Sequence, residues 1–443
     1  MEGNHLKKVL GLGDAMGIGI GQIIGAGVMI LTGISIDITG AGTPIAFVVA
    51  CLWVICPTLV LGAQCSAAPA TGGLYTYVRD YLGKKTSFVY LVLFVAGQLV
   101  LAMFALTFAE YTVSLIPSWN PTVVAFVIMT VCFVVNVLGL NMAAKFQNVM
   151  VIVLLAALLM FIVFGMPKVD YSVFTQPHAI MPNGFIAFLT ATSLLTFATS
   201  GACFLSELGG EIKNPGKTVP RAMIISTVLV GIFYAFIGIV AVGVLPIEEV
   251  AGQSLVKVAN AVLPGPLFVI FVIGGGMFAV ATTLNGSFTW CTKSLLVASR
   301  EGWLPKQLSS ISKFGTPWVL LLIFYLIGSV PILTGWDIRT IAMLGNGVSL
   351  VFFIFPTLAA YFLYKKTPQL VEKASFKLSR YALYIVTTIA LVTDVIAAFL
   401  NLSDIQNSWI MMVILVGAAI VYAIVRERYL EKKGTPLQIV KEI

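Results

Sequence analysis

Charge is what this chain of 443 residues lacks: Asp, Glu, Lys and Arg make up 10% of it, where a soluble domain carries about 25%. Too few charges remain to cover a water-facing surface, and 59% hydrophobic residues, with 29 Phe and 7 Trp, need a non-aqueous solvent. That excludes a soluble protein and makes the lipid bilayer its surroundings. Histidine is nearly absent, with His5 and His178 alone, and the six cysteines (Cys51, Cys56, Cys65, Cys132, Cys203 and Cys291) show no metal-ligand spacing. The thiols read as small apolar residues, and neither a metal nor any other cofactor is expected. An intramembrane enzyme would need paired carboxylates, a His-rich metal site or a nucleophile beside a base. With only two histidines, both outside the apolar stretches, no enzyme is expected. Lys7 and Lys8 lead into a long apolar stretch without a small-residue cleavage site, so no removable signal peptide is read. A repeat of 20–50 residues is also missing, which disfavours a solenoid.

What is there is a series of apolar stretches near 12–38, 44–63, 86–116, 121–139, 146–166, 185–208, 219–245, 266–299, 316–336, 338–364, 380–402 and 406–426. A transmembrane helix takes about 20 such residues, so the expectation is an all-α polytopic membrane protein of twelve transmembrane helices in a single domain, 1–443, with a short tail over 427–443. The loop from Pro246 to Pro264 is a place for a short surface helix. Of the 26 Lys and Arg, Lys168, Lys257 and Arg339 fall on odd-to-even connections and Lys293 within the eighth helix; the rest border the termini and the even-to-odd connections. By the positive-inside rule both termini are cytoplasmic, in a protein of the cell membrane. The basic residues are scattered over separate loops without a common module, so nucleic acid is not an expected partner.

Two distant segments share a peculiarity. The first helix carries Gly17, Gly19, Gly21, Gly25 and Gly27, and the sixth carries Thr199-Ser200-Gly201-Ala202. Glycine inside a helix costs about 1 kcal/mol relative to alanine, so this density at mid-membrane points either to close helix packing or to broken helices. Five helices separate the two segments, the interval of an inverted five-plus-five repeat in secondary transporters. A small-residue packing seam through Gly17, Gly21 and Gly25 is the other reading.

Four further blocks resemble, in order, the amino acid, polyamine and organocation superfamily of permeases: Gly21-Gln-Ile-Ile-Gly-Ala-Gly-Val28, Pro69-Ala-Thr-Gly-Gly-Leu-Tyr-Thr-Tyr77, Glu207-Leu-Gly-Gly-Glu-Ile-Lys-Asn-Pro-Gly-Lys-Thr-Val-Pro-Arg-Ala222 and Ser299-Arg-Glu-Gly-Trp-Leu-Pro305. The resemblance covers nearly the whole chain. It implies the fold of the bacterial leucine transporter, with helices one to five (about 12–166) and six to ten (about 185–364) as inverted repeats. Helices eleven and twelve (about 380–426) are appended.

A broken helix exposes N–H groups where its second half starts and C=O groups where its first half ends. An amino acid zwitterion supplies partners for both. Its carboxylate is expected on the N–H groups of Ala26, Gly27 and Val28 and its ammonium near the Ile23 carbonyl, with Gly25 permitting close approach. On helix six the family match places Phe197 as an aromatic cover and the Phe197 and Ser200 carbonyls toward the ammonium. Ala198, Gly201, Ala202 and Cys203 complete that side. Plain core packing of Phe197, and back-bonding of the Thr199 and Ser200 hydroxyls to their own helix, are the competing readings.

Departures from the family narrow the function. Cys203 stands where many relatives have an acid, which argues against arginine or polyamines, and Ala202 leaves volume for a larger neutral side chain. Leu154 occupies the position where many relatives carry a buried helix-five lysine, which speaks against a lysine-based proton mechanism. Thr282 and Thr283, with carbonyls near Gly19 and Gln22, offer a sodium site, or else pack against helix one without an ion. Asp394, on a peripheral helix eleven in this fold, is expected in an oligomer contact or a buried pair. Asp14 reads as a cap or gate residue, Gln98 as a pocket border or as packing within the bundle, and Lys293 as snorkelling or as the partner of a cytoplasmic carboxylate.

The expected function is secondary transport or exchange of amino acids, neutral ones favoured, by alternating access. A cationic amino acid or polyamine antiporter would need an acid elsewhere in the pocket. A non-transporting amino acid sensor would need a signalling domain that the short loops and tail do not provide. Sodium coupling, proton coupling and oligomeric state stay open at this stage.

Overall fold

Backbone N–H and C=O groups in lipid must find partners within their own segment, and the apolar stretches meet this requirement as helices. The computed structural model describes residues 6, 8–25, 27–176, 179–403 and 408–440. His5, Lys7, Ala26 and His178, to which sequence expectations attach, and the last three residues of the tail lie outside the described residues.

In chain order the α-helices are α1 (Leu12–Ile23), α2 (Thr32–Thr39), α3 (Thr43–Ala67), α4 (Gly73–Leu82), α5 (Lys84–Gly97), α6 (Val100–Leu115) and α7 (Pro121–Val137). They continue as α8 (Leu140–Gly165), α9 (Gly184–Thr199), α10 (Pro215–Gly243), α11 (Ile247–Val250), α12 (Leu255–Val262), α13 (Gly265–Phe271) and α14 (Phe278–Trp290). The last are α15 (Thr292–Glu301), α16 (Trp318–Thr334), α17 (Ile338–Ala359), α18 (Leu363–Lys366), α19 (Pro368–Lys373), α20 (Arg380–Ser403) and α21 (Ser408–Lys432). Among the described residues eight helical stretches are long and apolar enough to cross a membrane, or nine if α9 and the 3₁₀ segment Gly201–Glu207 form one bent span. The first of the eight, Leu12–Ala67, contains two of the expected helices, joined at Gly40 with its positive φ of 57°. Two further apolar helices, α7 and α16, have 17 residues each.

The differences from the sequence boundaries have local causes. The chain after α3 forms a helix of its own, α4, between Gly72 (φ 60°) and Gly83 (φ 110°), because both glycines turn the backbone where an L side chain would be strained. α8 starts at Leu140 instead of 146, directly after Gly139 (φ 120°). α21 runs on to Lys432, since Arg426–Lys432 contains good helix formers and has no breaker. The loop after α10 holds two short helices, α11 and α12.

Both terminal segments meet the same end of the bundle. The N–H groups of Val9 and Leu10 donate to the Glu211 carbonyl, and the Val440 carbonyl accepts from Arg79 of α4. Three of the four family-like blocks converge there. Thr71 bridges Leu208, and a Cβ on Gly209 would lie 2.5 Å from the Ala70 carbonyl oxygen, so the Gly-Gly of one block is the floor on which the other sits. Asn214 takes φ 48° to turn the chain into α10 at Pro215, a conformation that Asn tolerates better than most residues.

Candidate functional site

The glycine-rich segment of helix one is broken. α1 stops at Ile23, Ile24 is extended (φ −83°, ψ 91°), and a π-helical turn over Gly27–Leu31 leads into α2. The second peculiar segment is broken too: α9 ends at Thr199 and the chain continues as a 3₁₀ helix over Gly201–Glu207, bent by 41°. The two breaks touch. A Cβ on Gly27 would stand 2.7 Å from the Ala198 Cβ, and one on Gly201 would overlap the Gln22 carbonyl and come 2.7 Å from the Ile23 nitrogen. The packing-seam reading holds alongside the break, since Gly17 and Gly21 bring α1 against Asn148 and Gln147 of α8.

A cavity of about 1030 Å³, its open mouth included, is lined by Gln22, Ile23, Gly25 and Gly27 from the first break and by Phe197, Ala198, Ser200, Gly201 and Cys203 from the second. Val28 and Ala202 are buried away from it, so the volume that Ala202 was expected to leave does not border this cavity. Ala26 lies outside the described residues. The Ile23 carbonyl accepts from the Tyr234 hydroxyl at 3.2 Å, and the Ser200 carbonyl accepts from Cys203 N–H at 3.3 Å, so each has one lone pair engaged. The Thr199 hydroxyl donates back into α9, toward Leu195 and Thr196 carbonyls at 3.2 and 3.1 Å, as the competing reading had it.

Two carboxamide oxygens at the cavity, Gln22 Oε1 and Gln98 Oε1, are buried without a hydrogen-bond donor, while the Gln22 amide donates to Ser287 Oγ at 3.0 Å. Acceptors of this kind suit an ammonium. Gln98 sits where α5 passes into α6, with its amide donating to the Phe94 carbonyl at 2.9 Å. Toward the end that carries the termini, Phe204 stacks on Trp290 with ring centroids 3.7 Å apart and interplanar angle 5°, and Phe353 closes in at 5.2 Å. These three rings line the cavity, so an aromatic layer shuts it on that side. Nothing in the spacing of Phe204, Trp290 and Phe353 along the sequence connects them; the fold does.

The oxygen cluster beside the first break differs from the expected one. Thr283 Oγ1 lies 2.9 Å from the Gly21 carbonyl, 3.1 Å from that of Ala279 and 3.5 Å from that of Ile24, and Thr282 Oγ1 lies 2.7 Å from the Ala279 carbonyl. Gly19 instead packs against Ser226 of α10 and Leu205 of the 3₁₀ segment, and the Gln22 carbonyl faces Gly201. Leu154 is fully buried in α8. The polar contribution of α8 comes from Gln147, in a buried chain in which Asn285 donates to Gln147, Asn136 donates to Asn285 and Thr289 donates to Asn136. This chain ties α7, α8 and α14 into a scaffold beside the two helix breaks.

Beyond the aromatic layer the bundle end is held by charge. Lys293 Nζ and Glu211 Oε1 are 2.8 Å apart with both side chains buried. Glu207 accepts from Ser294 Oγ at 2.7 Å and from Leu74 N–H at 3.2 Å. Glu301 pairs with Arg79 and accepts from the Tyr75 hydroxyl at 2.6 Å; burial, reinforced by the Glu301 carboxylate, holds that phenol well above its ordinary range, so it stays a donor. Asp14 caps α1 through Gly11 N–H and accepts from Asn148, as a cap residue should.

The sequence matches the model of a family described as amino acid permease over residues 10–420. It is similar to a branched-chain amino acid permease of Bacillus subtilis, 28% identical over 400 residues that cover 82% of this chain and 83% of the relative. A serine/threonine exchanger of Bacillus subtilis is 27% identical over 337 residues, 72% of this chain and 75% of its own length. The human large neutral amino acids transporter small subunit 2 is 27% identical over 384 residues, 80% of this chain and 68% of its own. With the match running through both helix breaks and every apolar stretch from α1 into α21, the chain belongs to the amino acid permease family.

Proposed function

We propose that the protein is a secondary transporter or exchanger of neutral amino acids that works by alternating access across the cell membrane. The observation that carries this reading is the pair of helix breaks meeting at one cavity. Half-helix ends offer N–H groups to a carboxylate and C=O groups to an ammonium without any charged side chain. The carboxylate falls to the N–H group at Gly27, which lines the cavity, and the ammonium to the free lone pairs of the Ile23, Phe197 and Ser200 carbonyls. Gln22 and Gln98 oxygens stand nearby. Phe197 and the Phe204–Trp290 stack enclose the side chain, and an apolar lining fits an uncharged one. Twelve crossings, ten of them in two inverted five-helix halves and two appended, with both termini cytoplasmic, accommodate the breaks in corresponding places. The transition then separates the bundle end where α4, α15 and the chain around Glu207–Lys213 meet.

The coupling ion on this reading is sodium. The carbonyls of Gly21, Ile24 and Ala279 and the hydroxyls of Thr282 and Thr283 form a set of uncharged oxygens at the first break, the donor chemistry that a hard cation takes. Leu154 leaves no ammonium to replace the ion.

The experiment is exchange in proteoliposomes, with and without sodium and at two pH values, reading which external amino acids release a preloaded labelled neutral one. Release by neutral amino acids supports the reading, and no release by any amino acid defeats it. Thr283→Ala is expected to abolish sodium stimulation while the sodium-free rate persists. A Thr283→Ala protein stimulated by sodium as strongly as the wild type removes this cluster from coupling.

A further inference from the structure

Helix six has Cys203 where a cationic substrate would need an acid, and the family resemblance implies a peripheral place for Asp394. The structure puts Asp394 elsewhere. The face of α20 that packs inward runs through Leu383, Thr387, Ala390, Asp394 and Ala397, with a spacing of three and four residues. Ile385, Val392, Ile396 and Phe399 take the opposite, lipid-facing side. α20 lies against α3, α9 and α17, and Thr393, Asp394 and Ala397 line the same cavity as the two helix breaks. Asp394 is 9% exposed, and its Oδ2 has no hydrogen-bond donor. Among the described residues none of the ion pairs includes it. Among the described residues, the ionisable side chains seen to interact electrostatically with it are Cys56 and Cys203, neither of them a cation.

A carboxylate in lipid without a counter-charge costs several kcal/mol, and such groups face bundle interiors where a ligand or a proton neutralises them. Here the group faces a cavity, behind the place where Cys203 leaves helix six without an acid. We propose that Asp394 is a second recognition point of the cavity, a subsite for the protonated amine at the end of a substrate side chain. The inference rests on the cavity being the substrate site. It widens the substrate class from neutral amino acids to those with a terminal amine: the backbone ends of the breaks hold the zwitterion, and Asp394 supplies the anion from helix eleven.

The test compares ornithine with norleucine, whose side chains match in length but end in ammonium and methyl, as competitors of labelled neutral amino acid exchange in proteoliposomes. Wild-type protein is expected to be inhibited by both. Asp394→Asn is expected to raise the ratio of the half-inhibitory concentrations, ornithine over norleucine, by at least about tenfold, as for a desolvated charge pair that loses one partner. Ala397→Lys, one turn along the same face, tethers an ammonium beside Asp394 and is expected to raise the ratio likewise, whatever the folding of Asp394→Asn. The wild-type comparison needs no variant at all. The inference is overturned if ornithine fails to compete where norleucine does, or if Asp394→Asn weakens both competitors equally. It is overturned in favour of a proton-carrying Asp394 if the substitution moves only the pH dependence of exchange. Absence of exchange with every amino acid would instead defeat the transport reading itself.

Discussion

Gly201→Ala is expected to abolish transport in a protein that still reaches the membrane. The added methyl meets backbone, not a side chain that can swing away: the Gln22 carbonyl and, at 2.7 Å, the Ile23 nitrogen. Helix one and helix six must therefore separate at their breaks, by a shift on the order of 1 Å, the scale on which a positioned group loses roughly 100-fold in effectiveness. Overpacking of this kind costs about 1–3 kcal/mol, within what a large membrane domain survives. Gly27→Val attacks the same contact from the other side, against Ala198 Cβ at 2.7 Å and Cα at 2.8 Å, and adds β-branching. The control is Gly417→Ala, whose new methyl would have no atom within 4 Å. Uptake into proteoliposomes, together with substrate-induced thermal stabilisation in detergent, reads the outcome. Full binding by both Gly201→Ala and Gly27→Val would mean that the junction of the two breaks is not where the substrate sits.

Much of this was legible in the sequence, and the reason is physical. Lipid leaves a chain few options, so scarcity of charge and runs of about 20 apolar residues dictate helices. Gly201 and Gly27 are visible because glycine in a helix interior is costly and must be repaid by something, here the contact of two breaks. Lys293 offered two readings, snorkelling or a pair with a carboxylate, and its burial against Glu211 decides for the pair, since a charge inside a membrane helix needs a partner. What was not legible depends on what each helix packs against. Thr387 and Asp394, seven residues apart, mark the inward face of α20, but that this face borders the cavity follows only from how α20 packs against α3, α9 and α17. The Gly21 and Ile24 carbonyls replace those of Gly19 and Gln22 near Thr283 because carbonyl directions at a break depend on the local turn, which residue types alone leave open. The aromatic layer joins Phe204, Trp290 and Phe353 from three separate helical segments, so no local spacing announces it.

The Lys293–Glu211 pair carries the other large expectation, because the way the two positions fail tells what the pair does. Both side chains are buried, and Glu211 Oε2 has no second donor. Lys293→Met leaves a carboxylate enclosed without its cation, at a cost of about 3–5 kcal/mol for a buried pair broken from one side. The protein has two ways to escape this cost: unfold, or part α15 from the chain around Glu211 and let water in. On the alternating-access reading the second is the functional motion, so the variant is expected to populate the state open at the end that carries the termini. Cys291, fully buried two residues before Lys293, reports it. Its labelling by a small membrane-permeant thiol reagent, followed by peptide mass spectrometry, is expected to accelerate at least about tenfold in Lys293→Met, since a bias of 1.4 kcal/mol already suffices. Replacing both partners, Lys293→Met with Glu211→Met, removes the stranded charge and is expected to recover most of the thermal stability, as apolar replacements of buried pairs do. Transport should not recover with it, because an apolar contact holds the closed state without the switchable charge that lets it open. Recovery of both stability and transport in the double variant would reduce the pair to a packing element, and unchanged Cys291 labelling in Lys293→Met would show that this end of the bundle does not open by separating α15 from Glu211.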